Sequence, residues 1–181
     1  MAMVDVITPT MPKRAALLAE ARESVARQTF RDIGHLAEVD EQRIGAGALR
    51  NAIISRSDAP WLVFLDDDDL LDPDFVALHL ERALATGADM VHAPCRYPPR
   101  SEPRPAIAAF DLERLRREGN YIPMTALVRR KAFDAAGGFK PGVLCEDYLL
   151  WLAMHAAGAK FEYIPRVCWT YRLHGRSTWK P

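Results

Sequence analysis

Apolar and polar residues follow two different periods along this chain, and the switches between them mark out its elements. VDVIT (residues 4–8) is a short apolar run that predicts a strand ending at Pro9. After PTMPKR, Leu17, Leu18, Ala21 and Val25 recur at helical spacing and predict one buried helix face. HLAEV (residues 35–39) reads as a second strand, closed by Asp40 and Glu41. RIGAGALRNAIISRS begins around Gly45 and Gly47 and continues as a helix carrying Leu49, Ile53 and Ile54. WLVFL (residues 61–65) is nearly all apolar, the pattern of a strand covered on both faces of a parallel sheet. Asp72 and Pro73 supply an N-cap and a first-turn proline for the helix DFVALHLERALATG, which stops at Gly87. ADMVHA adds a further strand. Strands and helices alternate through this half, which predicts an α/β domain with a mixed, mostly parallel sheet flanked by helices.

The second half is less regular. PCRYPPRSEPRP (residues 94–105) is proline-rich and reads as a loop. DLERLRRE predicts a short helix, PMTALVRR a strand, and KAFDAAGGF a helical turn ended by Gly137 and Gly138. EDYLLWLAMHAAG (residues 146–158) is an amphipathic helix with a glycine stop, followed by the late strands KFEYIP and VCWTYRLH and the polar tail GRSTWKP.

Composition narrows the function classes. The chain has 181 residues, 49% hydrophobic and 27% charged, with 24 basic against 24 acidic side chains. That length suits one domain over residues 1–181, and the charge balance argues against a general nucleic-acid binder. No apolar run approaches the ~18 residues of a membrane span, and the N-terminus lacks a signal-peptide core. Cys95, Cys145 and Cys168 are odd in number and widely spaced, which predicts free thiols and a cytoplasmic protein. His92 and Cys95 form an isolated pair with no second pair to complete a zinc site.

Residues 66–69 are four consecutive aspartates at the end of the WLVFL run. Asp72 and Asp74 have local explanations, as a cap and as a first-turn carboxylate at a helix N-terminus. Four adjacent carboxylates on a buried strand repel one another and need a compensating cation. They lie just past the strand's C-terminal end, where open α/β sheets place their ligand crevice. A hard divalent ion, Mn²⁺ or Mg²⁺, suits such oxygen ligands and keeps open positions for the phosphates of a nucleoside diphosphate. Phosphatases, kinases and polymerases also use clustered aspartates, so the run alone leaves the chemistry open.

VITPTMPKRAALLAEARESVARQTF resembles the opening of the family 2 glycosyltransferases, which have the GT-A fold. GALRNAIISRSDAPWLVFLDDDDLLDPDF is similar to the family's second block, an Arg-Asn helix followed by an Asp-x-Asp strand end. MTALVRRKAFDAAGGF, EDYLLWLAMHAAGAKFEYIP and YRLHGRS resemble the third block, in the right order. The resemblance covers about residues 4–177. It implies a metal-dependent, inverting glycosyltransferase that moves a sugar from a nucleoside-diphosphate donor to an acceptor hydroxyl.

The same resemblance implies roles for single residues. Thr8, Pro9 and Thr10 would line the nucleotide pocket, where a plain strand-to-helix connection is the local alternative. Asp40 would accept a hydrogen bond from the base. Arg50 would stand near the donor's phosphates or ribose, against the alternative of a surface helix arginine. Asp66 and Asp68 fill the Asp-x-Asp positions as metal ligands on the donor side, and Asp67 meets the ribose, with the register open by one residue. Asp147 is the expected general base and Glu146 an acceptor contact; N-terminal capping of a helix is the alternative for this pair. His174 is a metal ligand or diphosphate contact with Arg172 beside it, and the tail carrying Trp179 would close over the donor as a lid.

One departure from the family pattern matters. VDEQRIGAGALRN crosses from Asp40 to Arg50 where family members insert a further helix and strand, so one wall of the nucleotide pocket is expected to be reduced. A homodimer would rebuild it. The nucleotide- and metal-binding half is expected at about residues 1–93, the half facing a hydroxyl-bearing acceptor at about 94–174 and the tail at 175–181. Two other readings compete. A sugar nucleotidyltransferase would carry glycines after its first strand, and TPTMPKRAA has none. A noncatalytic module binding nucleotide sugar or glycan would have no need of both the aspartate run and Asp147.

Overall fold

A computed structural model describes residues 2–97 and 107–172 of the chain. The first half runs β1 (Val4–Thr10), α1 (Ala15–Ala26), β2 (Ile33–Val39), α2 (Ala46–Ile54), β3 (Trp61–Phe64), β4 (Leu70–Leu71), α3 (Phe75–Thr86) and β5 (Met90–His92). The second half runs α4 (Leu112–Glu118), β6 (Ala126–Arg129), α5 (Arg130–Ala135), α6 (Glu146–Ala156), β7 (Phe161–Tyr163) and β8 (Trp169–Thr170). A six-stranded sheet has the order β2-β1-β3-β6-β5-β7. β2, β1 and β3 are parallel, β6 is antiparallel to both β3 and β5, and β7 is parallel to β5. The mixed, mostly parallel sheet with flanking helices therefore agrees with the sequence pattern. Beside it, β4 and β8 form a small antiparallel ribbon.

Two apolar layers sandwich the sheet, and β3 feeds both. Val63 joins Val4, Val6, Val25, Phe75 and Leu80 on one face. Leu62 and Phe64 join Ile7, Ile53, Phe139 and Trp151 on the other. All four β3 residues are buried, as its unbroken apolar run requires. Phe64 meets Phe139 edge-on at 5.0 Å and stacks on Trp151 at 6.5 Å, which ties α6 to the sheet.

Local expectations change at the end of β1 and at the start of α3. β1 does not stop at Pro9; it continues to Thr10 in register with β2. Its even-numbered residues bond towards β2, as the Val4 amide on the Asp32 carbonyl shows, so the missing Pro9 amide faces the β3 side. There the β1–β3 ladder runs as far as Ile7 and Phe64, closes with the Leu65 amide on the Ile7 carbonyl, and stops at the proline, which has no amide to continue it. At α3, the N-cap residue is Asp74 rather than Asp72, and its side chain makes no capping bond. Arginines hold these carboxylates instead: Arg96 binds Asp72 at 2.6 Å and Arg166 binds Asp74 at 2.6 Å. The α3 cap comes from a distant side chain, Gln28 Oε1, which accepts the Val76 amide at 3.0 Å. At the far end Gly87 closes α3 with φ 70°, as the sequence indicates. Among the described residues, no helix is long and apolar enough to cross a membrane.

Candidate functional site

The parallel strands β1, β2 and β3 end on the same side, and the aspartate run begins two residues beyond Phe64, the last residue of β3. The Leu65 amide still bonds the Ile7 carbonyl at 3.1 Å, and the chain then turns sharply, with the Asp69 amide on the Asp66 carbonyl at 3.1 Å. This turn separates the four carboxylates. Asp66, Asp68 and Asp69 bring ligand oxygens within 4.8 Å of one another. Asp67 points inward, 1% exposed, receiving Thr10 Oγ1 on one oxygen and Arg14 Nη1 on the other at 2.6 Å. Arg14 also lies 3.7 Å from Asp68.

Asp69 is the residue of this group that the Asp-x-Asp register omits. It is 3% exposed. Burial pushes its carboxyl well above the usual range, and the neighbouring Asp66 and Asp68 charges push it further; the Arg172 amide on its Oδ1, at 3.0 Å, acts the other way. A hard divalent cation fits this donor set: three oxygen ligands of one sign, one of them buried at a cost that a bound cation would relieve.

Arg50 projects from α2 into the same cleft and is 2% exposed. Its two terminal nitrogens bridge Asp66 and Glu146, the latter at 2.8 Å and 96 positions along the chain from Arg50 itself. The remaining Nε has no hydrogen-bond partner among the described residues. The Asn51 side chain beside it holds the Phe139 backbone from both sides, with Nδ2 on the carbonyl at 2.7 Å and Oδ1 on the amide at 3.1 Å. The Arg-Asn pair of α2 thus fixes the chain leading to α6.

Glu146 and Asp147 open α6 after Cys145, which sits in the left-handed region at φ 58°. Lys13 and Arg43 are the other described non-glycine residues with positive φ, and each lies in the turn before α1 or α2. Such strain is worth of order 1–3 kcal/mol at each position and clusters where function over-determines the backbone. Asp147 is held at both oxygens, by the Tyr148 amide at 2.8 Å and by Asn120 Nδ2 at 2.7 Å. Burial pushes its carboxyl up to about 6; the Tyr148 amide and Arg50 oppose the shift, and Glu146 and Asp66 add to it.

The remaining expected donor residues surround the strand ends. Thr8 is fully buried and its hydroxyl meets His35 Nε2 at 2.9 Å. Both Asp40 oxygens accept backbone amides, from Ile44 and Gly45, at 2.9 Å each, so this carboxylate shapes the β2–α2 turn. Arg172 reaches over the aspartate turn: its Nε donates to the Asp68 carbonyl, its Nη1 pairs with Glu20, and its Nη2 has no partner among the described residues. His174, Trp179 and the tail lie outside the described residues. Arg50, Asp66, Asp69, Asn120, Glu146 and Asp147 share one open cleft of about 690 Å³. Arg14 and Asn120 are the residues of this constellation that the sequence pattern did not single out, and Asp69 is the one whose part the open register left undecided.

With this geometry in view, the comparisons with known proteins are specific. The family model described as glycosyltransferase like family 2 matches residues 3–180. The chain therefore belongs to that family. Its fold is that of the GT-A glycosyltransferases, shared with three solved structures. TarS of S. aureus superposes with a TM-score of 0.79 at 15% identity, covering 96% of this chain and 37% of that one. TarS 1-349 in complex with UDP-GlcNAc gives 0.79 at 15% identity, with coverage of 99% and 62%. The mannosyltransferase PcManGT from Pyrobaculum calidifontis, in complex with GDP-Man and Mn²⁺, gives 0.73 at 15% identity, with coverage of 97% and 58%. The chain thus spans 37% to 62% of the length of these structures. No curated protein sequence matches it significantly.

Proposed function

We propose that this chain transfers a sugar from a nucleoside-diphosphate donor to an acceptor hydroxyl, with inversion at the anomeric carbon. The observation that carries this reading is the shared cleft: Asp66 and Asp69, which cluster with Asp68 just past β3, and in the same cleft a raised carboxylate, Asp147. Asp66, Asp68 and Asp69 would hold Mn²⁺ or Mg²⁺. Such an ion, when bound, offsets negative charge developing on the departing diphosphate. The nucleotide-sugar complexes of the two relatives that share the fold support the donor class.

The chain's own residues carry the rest of the chemistry. Asp147 takes the proton from the acceptor hydroxyl as its oxygen bonds to the anomeric carbon, while the bond from that carbon to the diphosphate oxygen breaks. A carboxylate near pKa 6 is well placed for this, being ionised at neutral pH yet more basic than an exposed aspartate. Asn120 and the Tyr148 amide hold it in one orientation. Arg172, whose Nη2 has no partner among the described residues, has a donor left for the diphosphate, and Glu146 faces the acceptor side. Thr8, Pro9, Thr10, Asp40 and Arg50 frame the nucleotide end, and Asp67 holds that frame through Thr10 and Arg14.

A noncatalytic binding module is the second reading. It is favoured by the short β2–α2 connection, which leaves β2 as the sheet edge among the described residues, and by the Arg50 bridge that occupies Asp66 and Glu146. The two separate on turnover. A panel of nucleotide sugars is incubated with Mn²⁺, Mg²⁺ or chelator, and release of nucleoside diphosphate is followed. Metal-dependent release abolished by Asp147→Asn supports the transferase; donor binding without any release supports the module.

A further inference from the structure

Among the described residues, β2 pairs only with β1 and forms one edge of the six-stranded sheet. The Asp32 carbonyl accepts from Val4 and the Asp40 amide donates to Thr10, so the even-numbered residues here direct their backbone groups at β1. Alternation then aims the amides and carbonyls of Ile33, His35 and Ala37 and the amide of Val39 outward, while the Val39 carbonyl already accepts the Glu41 amide at 2.9 Å. Sheet edges are normally blunted by proline, lysine, a bulge or short length. β2 has none of these: seven residues pair with β1 in unbroken register, without proline or lysine. Its one charged side chain, Glu38, is already paired with Arg56 of its own chain.

The edge is complementary to itself. In an antiparallel pairing centred on Leu36, Ile33 faces Val39 of a second copy and His35 faces its Ala37. All four outward-directed residues then form hydrogen-bonded pairs, and Leu36 faces Leu36 at the two-fold axis. Val39 is 38% exposed in the single chain. It lies on the same side of the strand as Ile33, where a groove of about 230 Å³ opens between α1 and β2, lined in part by Arg22, Phe30, Arg31, Ile33 and His35. The pairing seats Val39 of each copy against this groove of the other. Past the strand ends, exposed Arg31 meets exposed Glu41 of the second copy, twice by symmetry. Asp32 and Asp40 also fall opposite, but the Ile44 and Gly45 amides already hold the Asp40 carboxylate.

We propose that β2 is the interface of a homodimer, pairing antiparallel with β2 of a second copy about Leu36 so that one sheet continues through both. The contact brings the Arg31 end of one copy beside Asp40 of the other, at the open side of the crevice. It extends the wall that the short β2–α2 connection leaves unbuilt.

Sedimentation velocity on the full chain over a concentration series is expected to show a monomer–dimer equilibrium. Ala37→Pro removes an amide that has no partner among the described residues of the single chain, so circular dichroism and melting are expected to be retained while the dimer is lost. Val39→Lys is the second variant, should the proline prevent folding: a charge at this exposed edge position is expected to weaken the dimer roughly tenfold. Register is read with Leu36→Cys in a Cys145→Ser background. Opposed residues of a non-hydrogen-bonded pair lie about 4.5 Å apart at Cα, within disulfide reach, so mild oxidation is expected to give a covalent dimer. A wild-type chain monomeric across the series overturns the proposal. So does a dimer that the β2 variants leave intact and Leu36→Cys does not cross-link. Turnover is not a readout here, so this interface can fail independently of the glycosyl-transfer reading.

Discussion

Asn120 donates from Nδ2 to Asp147 Oδ2 at 2.7 Å, and its own Oδ1 is fixed by the Ile122 amide at 3.1 Å. The second bond decides the first: with Oδ1 held by an N–H, the amide group must present its hydrogens to the carboxylate. In the proposed reaction Asn120 is therefore a positioning residue that acts through Asp147. Asn120→Ala removes a hydrogen bond to a charged group, worth about 1.5–3 kcal/mol, or roughly 10–100-fold in kcat if it is fully felt in the transition state. It also removes a donor that favours the ionised form, so the acid limb of the pH–rate profile should move upward. A merely structural residue would lower the melting temperature and leave that limb where it was.

The limb itself follows from Asp147. Burial raises this carboxyl to about 6, so above that pH the residue is ionised and can accept a proton, and below it the base form is lost. The expected profile is a kcat/KM that is level near neutrality and falls about tenfold per unit below pH 6. Asp147→Asn should lower kcat by roughly 10²–10⁴-fold and abolish the limb, with donor affinity kept. A variant that retains the wild-type profile would move the general base elsewhere.

The aspartate cluster makes a separate prediction about stability. Three carboxylates with oxygens within 4.8 Å repel one another until a cation is bound. An ion at a hundredfold excess over its dissociation constant should add about 2.7 kcal/mol, read as a rise in melting temperature on adding Mn²⁺ or Mg²⁺. Asp69→Asn keeps an oxygen for the Arg172 amide and removes one charge. In chelator it is expected to melt above the wild type, and its metal-induced shift should shrink. An unchanged shift would place the ion away from Asp69.

How far the sequence carried this picture depends on the range of each interaction. The end of β3 and the crevice were legible because WLVFL and the run after it are contiguous, and Gly87 marked a stop because a left-handed C-cap is a local requirement. Gln28 as the cap of α3 was not legible, since its partner Val76 lies 48 residues away. Asn120 meets Asp147 across 27 residues and Arg14 meets Asp67 across 53. A lone asparagine in EGNY or an arginine in TMPKR carries no local sign of such a partner. Asp69 was hidden for another reason: in four identical neighbours, only the turn closed by the Asp69 amide decides which carboxylates face the cleft. The ribbon of β4 and β8 is two residues long on each side, too short for any periodicity to appear.

Arg50 couples these parts, and its removal should be visible in two measurements. Its guanidinium is 2% exposed and pairs with Asp66 and Glu146, which are 38% and 22% exposed. Arg50→Met fills a similar volume and leaves both carboxylates without their partner. Because those carboxylates reach solvent, the loss is expected to stay near 2–3 kcal/mol in urea unfolding rather than the larger figure for a fully buried pair. The second effect falls on the base. Arg50 holds the Asp147 carboxyl down, while Glu146 and Asp66 push it up, so deleting the cation leaves only the upward influences of these neighbours. The acid limb of Arg50→Met should therefore lie above pH 6, with less activity at neutrality than its folded fraction accounts for. Arg50→Lys keeps the charge but cannot reach both carboxylates in a fork, so it should restore the limb more fully than the stability. If both variants lose stability with the limb unmoved, the Arg50 bridge is a strut between α2 and α6 with no electrostatic hold on Asp147.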